Sequence, residues 1–138
     1  MENLSADVVV LGGGSAGYAA ARTLASQGAK TLVIDGAPEL GGLCILKGCM
    51  PTKALLHAAE LRQGILEGEP WGITADHVQV DPKRVFAKKD ALIADFAGYR
   101  RQQLEDGRFG LIRSQARFEG AGSLRLEDGR CVQFGHAV

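Results

Sequence analysis

The sequence predicts an α/β protein that contains a parallel sheet and a small β-meander, and three observations lead to this fold class. The N-terminal third begins with a strand, a helix and a second strand. A glycine-rich loop joins that first strand to the helix. Several short β-type segments with a turn signal between them follow near the C-terminus. Two parallel strands need a crossover connection, and a helix of this length supplies one.

The first strand–helix–strand unit spans residues 7–35. Residues 7–11 (DVVVL) form a continuous apolar run of mostly β-branched side chains, which is typical of a strand buried on both faces. The small and apolar residues after the glycine cluster predict a helix that ends at Gly28. Residues 30–35 (KTLVID) form the second strand. A unit of this size is expected of a βαβ crossover.

The rest of the chain is predicted to hold two helical segments and the meander. Residues 44–67 are helical, with a break near Pro51 and with Thr52 as a helix cap, and a second helix covers residues 82–105. The β-type segments then lie at residues 110–114, 116–119, 123–127 and 130–134. Asp128 and Gly129 form a hairpin turn signal between the last two.

Composition limits the classes of partner. The 138 residues fit one domain, and 16 basic residues balance 16 acidic ones, so the net charge is zero. This balance gives no reason to expect nucleic acid or an anionic membrane as a partner. The N-terminus lacks the basic and apolar regions of a secretory signal. The predicted compartment is therefore cytoplasmic, where a close cysteine pair is catalytic or metal-binding more often than structural.

Gly12, Gly14 and Gly17 form a G-x-G-x-x-G loop between the predicted strand and helix. Gly12 permits the tight turn, Gly14 lets the backbone approach a pyrophosphate, and Gly17 lets helix and strand pack closely. The helix N-terminus offers free N–H groups to the phosphates. Asp35 ends the second strand and can accept hydrogen bonds from an adenosine ribose. The pattern predicts a Rossmann-like dinucleotide site without separating FAD from NAD, and Asp35 disfavours a ribose 2′-phosphate.

Residues 41–53 (GGLCILKGCMPTK) carry two of the three cysteines. Cys44 and Cys49 could be half of a metal site, a pair of inert thiols or a working dithiol. On a regular helix their Cα atoms would lie about 8 to 9 Å apart, whereas a disulfide needs roughly 4.4 to 6.8 Å. A disulfide therefore requires a distorted turn, which Gly48 can supply. The dithiol hypothesis predicts a lowered pKa at both thiols.

The C-x-x-x-x-C-x-P-T-K pattern, preceded by Gly-Gly and by the upstream glycine loop, resembles the redox motif of the pyridine nucleotide–disulfide oxidoreductases. The segment GCMPTKALL is most similar to the lipoamide dehydrogenase and mercuric reductase-like branch. The resemblance implies a Rossmann-like FAD-binding domain that is incomplete relative to the family. Residues 1–138 would be the N-terminal part of that domain, and the NAD-binding and C-terminal dimerisation domains would be absent from this chain.

The resemblance also implies roles for individual residues. Cys44 matches the interchange thiol that attacks the substrate disulfide, Cys49 matches the thiol beside the flavin, and Lys53 matches the lysine near the reactive flavin nitrogen. Asp35 stands where the family more often has Glu, and Leu43 stands where Thr is common. The implied cofactor contacts are Gly12, Gly14, Ser15, Ala16, Gly17, Asp35, Gly36, Gly41, Gly42, Leu43, Cys44, Lys53 and Ala116. No metal ligands are predicted.

The implied activity is that of an FAD-dependent NAD(P)H:disulfide oxidoreductase similar to dihydrolipoamide dehydrogenase, with a place in cell redox homeostasis. Electrons would pass between NAD(P)H, FAD and the Cys44–Cys49 pair, and then to a small or protein-bound disulfide. The parent protein would be a homodimer, and the 138-residue fragment alone would not turn over. The alternative is a stand-alone flavin- or dinucleotide-binding redox module without turnover, and a metal-binding protein ranks third.

Overall fold

The computed structural model describes residues 3–138 and confirms the predicted α/β class. A 3-10 turn at Glu69–Trp71 separates the third and fourth helices. The elements are β1 (Asn3–Leu11), α1 (Ser15–Ser26), β2 (Thr31–Ile34), α2 (Gly42–Leu46), α3 (Cys49–Leu66), α4 (Pro82–Glu105), β3 (Gly110–Ile112), β4 (Ala116–Gly120), β5 (Ser123–Leu126) and β6 (Cys131–Ala137).

The strands form one six-stranded sheet in the order β3-β2-β1-β6-β5-β4. Strands β3, β2, β1 and β6 run parallel, whereas β5 and β4 continue the sheet as an antiparallel meander from β6. Val9 is in register with Leu32 of β2 on one side and with Ala137 of β6 on the other. The predicted parallel sheet and meander are thus parts of the same sheet, and β6 joins them.

Strand β1 begins at Asn3 and not at residue 7, and β6 continues to Ala137 and not to residue 134. The two strands pair in parallel from Asn3 and Cys131 to Val9 and Ala137. Each strand therefore extends as far as its partner supplies backbone hydrogen bonds. That partner lies more than 120 residues away in the sequence, so the local apolar pattern could not predict these ends.

The helical break lies at Lys47 and Gly48, so the predicted break near Pro51 is wrong. Helix α3 begins at Cys49, and Pro51 lies in its first turn, where a backbone without an N–H group costs no hydrogen bond. Thr52 is not the helix cap either. It is already inside α3, and its hydroxyl donates to the carbonyl of Gly48, the N-cap residue, at 2.8 Å.

The described residues form two compact units, one of residues 3–42 and 98–138 and the other of residues 43–97. The first unit contains the sheet, α1 and two apolar clusters. One cluster combines sheet residues with α1 and the end of α4, and comprises Val10, Tyr18, Ala21, Val33, Leu40, Leu104 and Phe109. The other lies under the meander and comprises Ala6, Val9, Ile34, Leu124, Leu126 and Val132. The sheet unit thus has a core of its own.

The second unit consists of most of α2, all of α3, the 3-10 turn and most of α4. Helix α3 has no buried residue over its 18 positions. Large apolar side chains such as Leu61 and Phe86 are more than half exposed. Among residues 3–138, no helix has both the length and the hydropathy that crossing a membrane requires.

The contact between the glycine loop and α1 gives a stability prediction. A Cβ atom at Gly17 would lie 1.9 Å from the carbonyl oxygen of Gly12 and 3.2 Å from Cγ1 of Val10. The Gly17→Ala substitution should therefore lower the free energy of unfolding by about 3 kcal/mol, because helix and loop must separate. Chemical denaturation of both proteins measures this.

Gly98→Ala is the matched control, because a Cβ atom at this helical glycine of the same unit meets nothing within 4 Å. It should raise stability by about 0.5 to 1 kcal/mol through helix propensity. Equal effects of the two substitutions would contradict the close packing at Gly17.

Candidate cofactor groove and dithiol segment

A cavity of about 440 Å³ opens in the sheet unit beyond the carboxyl ends of β1 and β2. Ligands of open α/β sheets bind at this edge, where loops leave the strands. The loops after β1, β2 and β3 and the start of α2 line the cavity. The lining residues are Leu11, Gly12, Gly14, Ile34, Asp35, Gly36, Ala37, Gly42, Ser114, Gln115 and Ala116.

The glycine loop has the geometry that its pattern predicts. Gly12 has φ +101°, a left-handed conformation that favours glycine, and its N–H donates to the Ile34 carbonyl at 2.8 Å. The chain then enters α1 at Ser15, and Ser15 and Ala16 form its first turn. The first N–H groups of α1 have no partner within the helix, so they and the helix dipole favour an anion at this end.

Two glycines let two backbone segments meet in the wall of the groove. A Cβ atom at Gly42 would lie 2.6 Å from the Cα atom of Gly14, so the first residue of α2 touches the glycine loop directly. Both residues line the cavity. The cavity wall at this point is therefore backbone without side chains, as close approach to a phosphate requires.

The Asp35 carboxylate is buried, with 6% of the residue exposed. Its Oδ2 accepts a hydrogen bond from the N–H of Gly13 at 2.6 Å, and its Oδ1 accepts one from Ala37 at 2.8 Å. A carboxylate oxygen has a second lone pair, so each can still accept from a ribose hydroxyl. The side chain thus joins the glycine loop to the loop after β2.

Gly13 is a site residue that the sequence reasoning missed. A Cβ atom there would lie 3.0 Å from Oδ2 of Asp35 and 3.1 Å from Cδ1 of Leu104. A glycine at the middle position of G-x-G is the available signal, because that position accepts many residues in the general pattern. Here it leaves room for the short Asp side chain to reach the loop.

The structure brings only part of the predicted cofactor set together. Six of its residues line the groove: Gly12, Gly14, Asp35, Gly36, Gly42 and Ala116. Ser15, Ala16, Gly17 and Gly41 belong to the same unit without lining the cavity. Leu43, Cys44 and Lys53 belong to the helical unit, and Leu43 is 75% exposed. Contact of these residues with a cofactor stays a prediction.

The dithiol segment turns sharply between its two cysteines. Cys44 lies in α2, and Cys49 is the first residue of α3. A Cβ atom at Gly48 would lie 3.0 Å from the Leu43 carbonyl oxygen and 3.2 Å from the Cα atom of Cys44. The residue before Cys49 therefore packs directly on Cys44. This is the interrupted helix that a Cys44–Cys49 disulfide requires, although both thiols are free in this structure.

The pKa of Cys44 is raised, so the prediction of a lowered pKa at both thiols is wrong for this residue. The largest cause is a hydrogen bond with the Cys49 side chain, and desolvation and repulsion from Cys49 act in the same direction. A hydrogen bond with the Cys49 backbone and, to a smaller extent, the positive charge of Lys53 act to lower the pKa of Cys44, but by less. When one of two neighbouring thiols has lost its proton, the other holds its own more tightly, because two thiolates would otherwise lie side by side.

The third cysteine, Cys131, lies at the start of β6 in the sheet unit and accepts a hydrogen bond from the Gln133 amide at 3.5 Å. Within residues 3–138 no group of three or more His, Cys, Asp or Glu side chains is arranged to hold a metal ion.

Comparison with known proteins defines the family to which the chain belongs. Residues 6–133 match the family described as pyridine nucleotide-disulphide oxidoreductase, so the chain belongs to that family. The resemblance drawn from the two motifs is thereby confirmed.

Individual curated proteins are similar to this chain as well. A dihydrolipoyl dehydrogenase of Thermus scotoductus is 39% identical over 120 residues, which are 87% of this chain and 26% of that protein. One from Bacillus subtilis is 35% identical over 114 residues, or 83% of this chain and 24% of that protein. The chain thus spans about a quarter of the length of these curated relatives.

A solved structure shares the fold. The HOCl-induced flavoprotein disulfide reductase RclA from Escherichia coli superposes with a TM-score of 0.75 at 26% identity. The match covers 95% of this chain and 27% of that protein.

The interaction between Cys44 and Cys49 gives a pH prediction. All proteins compared carry Cys131→Ser, so that alkylation of the third cysteine does not interfere. Because its pKa is raised, Cys44 should stay protonated to higher pH than an ordinary cysteine. The Cys49→Ala substitution removes the hydrogen bond and the repulsion but keeps Lys53, so the pKa of Cys44 should fall. The pH dependence of the alkylation rate of Cys44 by iodoacetamide, followed by mass spectrometry, measures the shift. An unchanged midpoint would show that the thiols do not interact.

Proposed function

We propose that this chain belongs to an FAD-dependent NAD(P)H:disulfide oxidoreductase similar to dihydrolipoamide dehydrogenase, and that it supplies the FAD loop and the redox dithiol. The observation that carries the proposal is the Cys44–Cys49 pair, whose members lie on either side of the break between α2 and α3, in a chain whose other unit has a dinucleotide groove. Residues 1–138 would form the N-terminal part of the FAD-binding domain. The coverage of about a quarter of each relative supports this placement.

The groove fits the adenosine diphosphate portion of FAD. Its wall has glycines where phosphates must approach, an α-helix begins beside it, and a buried carboxylate lies at the end of β2. Gly12, Gly14 and the first turn of α1 would hold the pyrophosphate, Asp35 the ribose, and Ala116 the adenine through its backbone. When bound, FAD would take a hydride from a reduced nicotinamide and supply two electrons for disulfide chemistry.

The cysteines would carry out thiol–disulfide exchange. The Cys44 thiolate attacks one sulfur of the substrate disulfide, forms a mixed disulfide and releases the first thiol, which takes up a proton. The Cys49 thiolate then attacks the Cys44 sulfur, releases the second thiol and closes the Cys44–Cys49 disulfide. Two electrons pass from the dithiol to the substrate. The sequence runs backwards if the physiological substrate is a dithiol, as in a dihydrolipoamide dehydrogenase.

The interaction between the two thiols supports this division of labour. Exchange needs only one thiolate at a time, and the neighbouring Cys49 side chain raises the pKa of Cys44. Cys49 is the first residue of α3, and the N-terminus of a helix favours a neighbouring anion. Lys53, one turn after Cys49 in α3 and exposed, would stabilise a thiolate at Cys44, because its positive charge lowers the pKa of that thiol.

The partners follow from this chemistry. The substrate would be a small-molecule or protein-bound disulfide, the electron partner NAD(P)H, and the assembly a homodimer in the complete protein. Asp35 disfavours a 2′-phosphate in the groove itself, because two anions would meet there. A cytoplasmic location would keep the dithiol in a reducing compartment.

A visible spectrum before and after one equivalent of dithionite tests the proposal. The purified protein should carry a flavin spectrum and should gain a long-wavelength thiolate-to-flavin band on two-electron reduction. Cys49→Ser should abolish that band while keeping the flavin, because its thiolate lies beside the ring in the proposal. Cys44→Ser is the matched control: it leaves Cys49 as a free thiol, so the band should be present before any dithionite is added and should disappear on reduction, because without the disulfide the two electrons go to the flavin.

Flavin without the band in the unmodified protein would leave a flavin-binding redox module whose cysteines take no part in electron transfer. A protein that binds no flavin would overturn the proposal, and stoichiometric zinc in such a protein would favour the metal-binding alternative.

A further inference from the structure

The loop after β2 begins with Asp35, the acid that lines the groove. Two side chains from the segment after β3 donate hydrogen bonds to the backbone carbonyls of this loop. Arg113 donates from Nε to the carbonyl of Asp35 at 3.3 Å and from Nη2 to the carbonyls of Ala37 and Pro38. Gln115 donates from Nε2 to the remaining carbonyl, that of Gly36, at 3.0 Å. All four consecutive carbonyls of residues 35–38 therefore accept a hydrogen bond from one of these two side chains.

The fit of Gln115 against this loop is tight. A Cβ atom at Gly36 would lie 2.5 Å from Cδ and 2.6 Å from Nε2 of Gln115, and 2.9 Å from its backbone nitrogen. Gln115 also lines the groove, as does Ser114. The glycine at position 36 is thus required by the amide that covers it, in addition to any cofactor that passes over it.

The carboxylate of Asp35 is held by backbone N–H groups. Its two oxygens bond to the N–H groups of Gly13 and Ala37, so its position depends on where the loop places residues 35 and 37. Asp has one methylene less than Glu, so it has less freedom to recover a ribose contact if the loop moves. The orientation of the acid therefore depends on the hydrogen bonds that fix the loop.

We propose that Arg113 and Gln115 are positioning residues that hold the 35–38 loop so that the Asp35 carboxylate meets the ribose hydroxyls of an adenine nucleotide. This inference rests on the proposed function and names two residues that determine its ribose recognition. Arg113 acts through the loop carbonyls and does not touch the ligand. Gln115 acts through Gly36 and also forms part of the cavity wall.

The test compares two probes, ADP and 2′,3′-dideoxy-ADP, by calorimetric titration of the 138-residue chain freed of bound nucleotide. The unmodified chain should bind ADP at least about tenfold more tightly than the dideoxy probe, because that probe lacks both hydroxyls that could donate to the Asp35 carboxylate and a single charged hydrogen bond contributes about this factor. Arg113→Met keeps the aliphatic stem and removes the donors. It should weaken ADP by about tenfold and leave the dideoxy probe nearly unchanged, so that the discrimination disappears.

Two further variants sharpen the comparison. Arg117→Met is the control, because Arg117 lies exposed on β4 and belongs to no part of the loop contacts, so it should preserve the discrimination. Gln115→Glu keeps the shape and removes the donor to Gly36, and should lower the discrimination as Arg113→Met does.

Equal weakening of both probes by Arg113→Met would assign this residue to general stability and overturn the inference. Unchanged affinities would overturn it too. An unmodified chain that binds neither probe would overturn the proposed function together with the inference, whereas tight ADP binding with discrimination kept in Arg113→Met would overturn the inference alone.

Discussion

The buried carboxylate of Asp35 is the interaction on which the cofactor groove depends. It ends β2 and accepts hydrogen bonds from the glycine loop on one side and from its own loop on the other. A buried carboxylate is stable only where donors replace its hydration, and two backbone N–H groups do so here. Because Gly13 has no side chain, the short acid reaches the glycine loop directly. The two loops that follow the parallel strands are thereby joined into one wall.

Several glycines in the sheet unit allow close packing between chain segments. Gly17 packs on Gly12, Gly42 on Gly14, and Gly36 under Gln115, each at a distance that excludes a Cβ atom. These contacts bring three separate chain segments to the same sheet edge. The groove is formed mainly by backbone, which explains how a groove lined by an acidic side chain, that of Asp35, can still offer a site for a diphosphate.

The dithiol follows a different principle. Cys44 and Cys49 interact because the helix is interrupted between them at Lys47 and Gly48, and not because helical spacing aligns them. The interruption also begins a new helix at Cys49, so one residue gains both a thiol neighbour and a helix N-terminus. The proximity of Cys49 raises the pKa of Cys44, because a second thiolate beside the first is unfavourable.

The sequence by itself determined the βαβ unit, the glycine turn, the hairpin at Asp128 and Gly129, and the family, because these depend on local periodicity, turn chemistry and motif spacing. Only the tertiary structure decided the length of β1, the site of the helical break, the direction of the Cys44 pKa shift and the contacts of Gly13, Arg113 and Gln115. Each of these depends on a partner that local pattern does not identify. The ends of a strand are set by the distant strand that pairs with it. In the sequence Arg113 is an ordinary charged residue, and only the fold brings it to the loop more than 70 residues earlier.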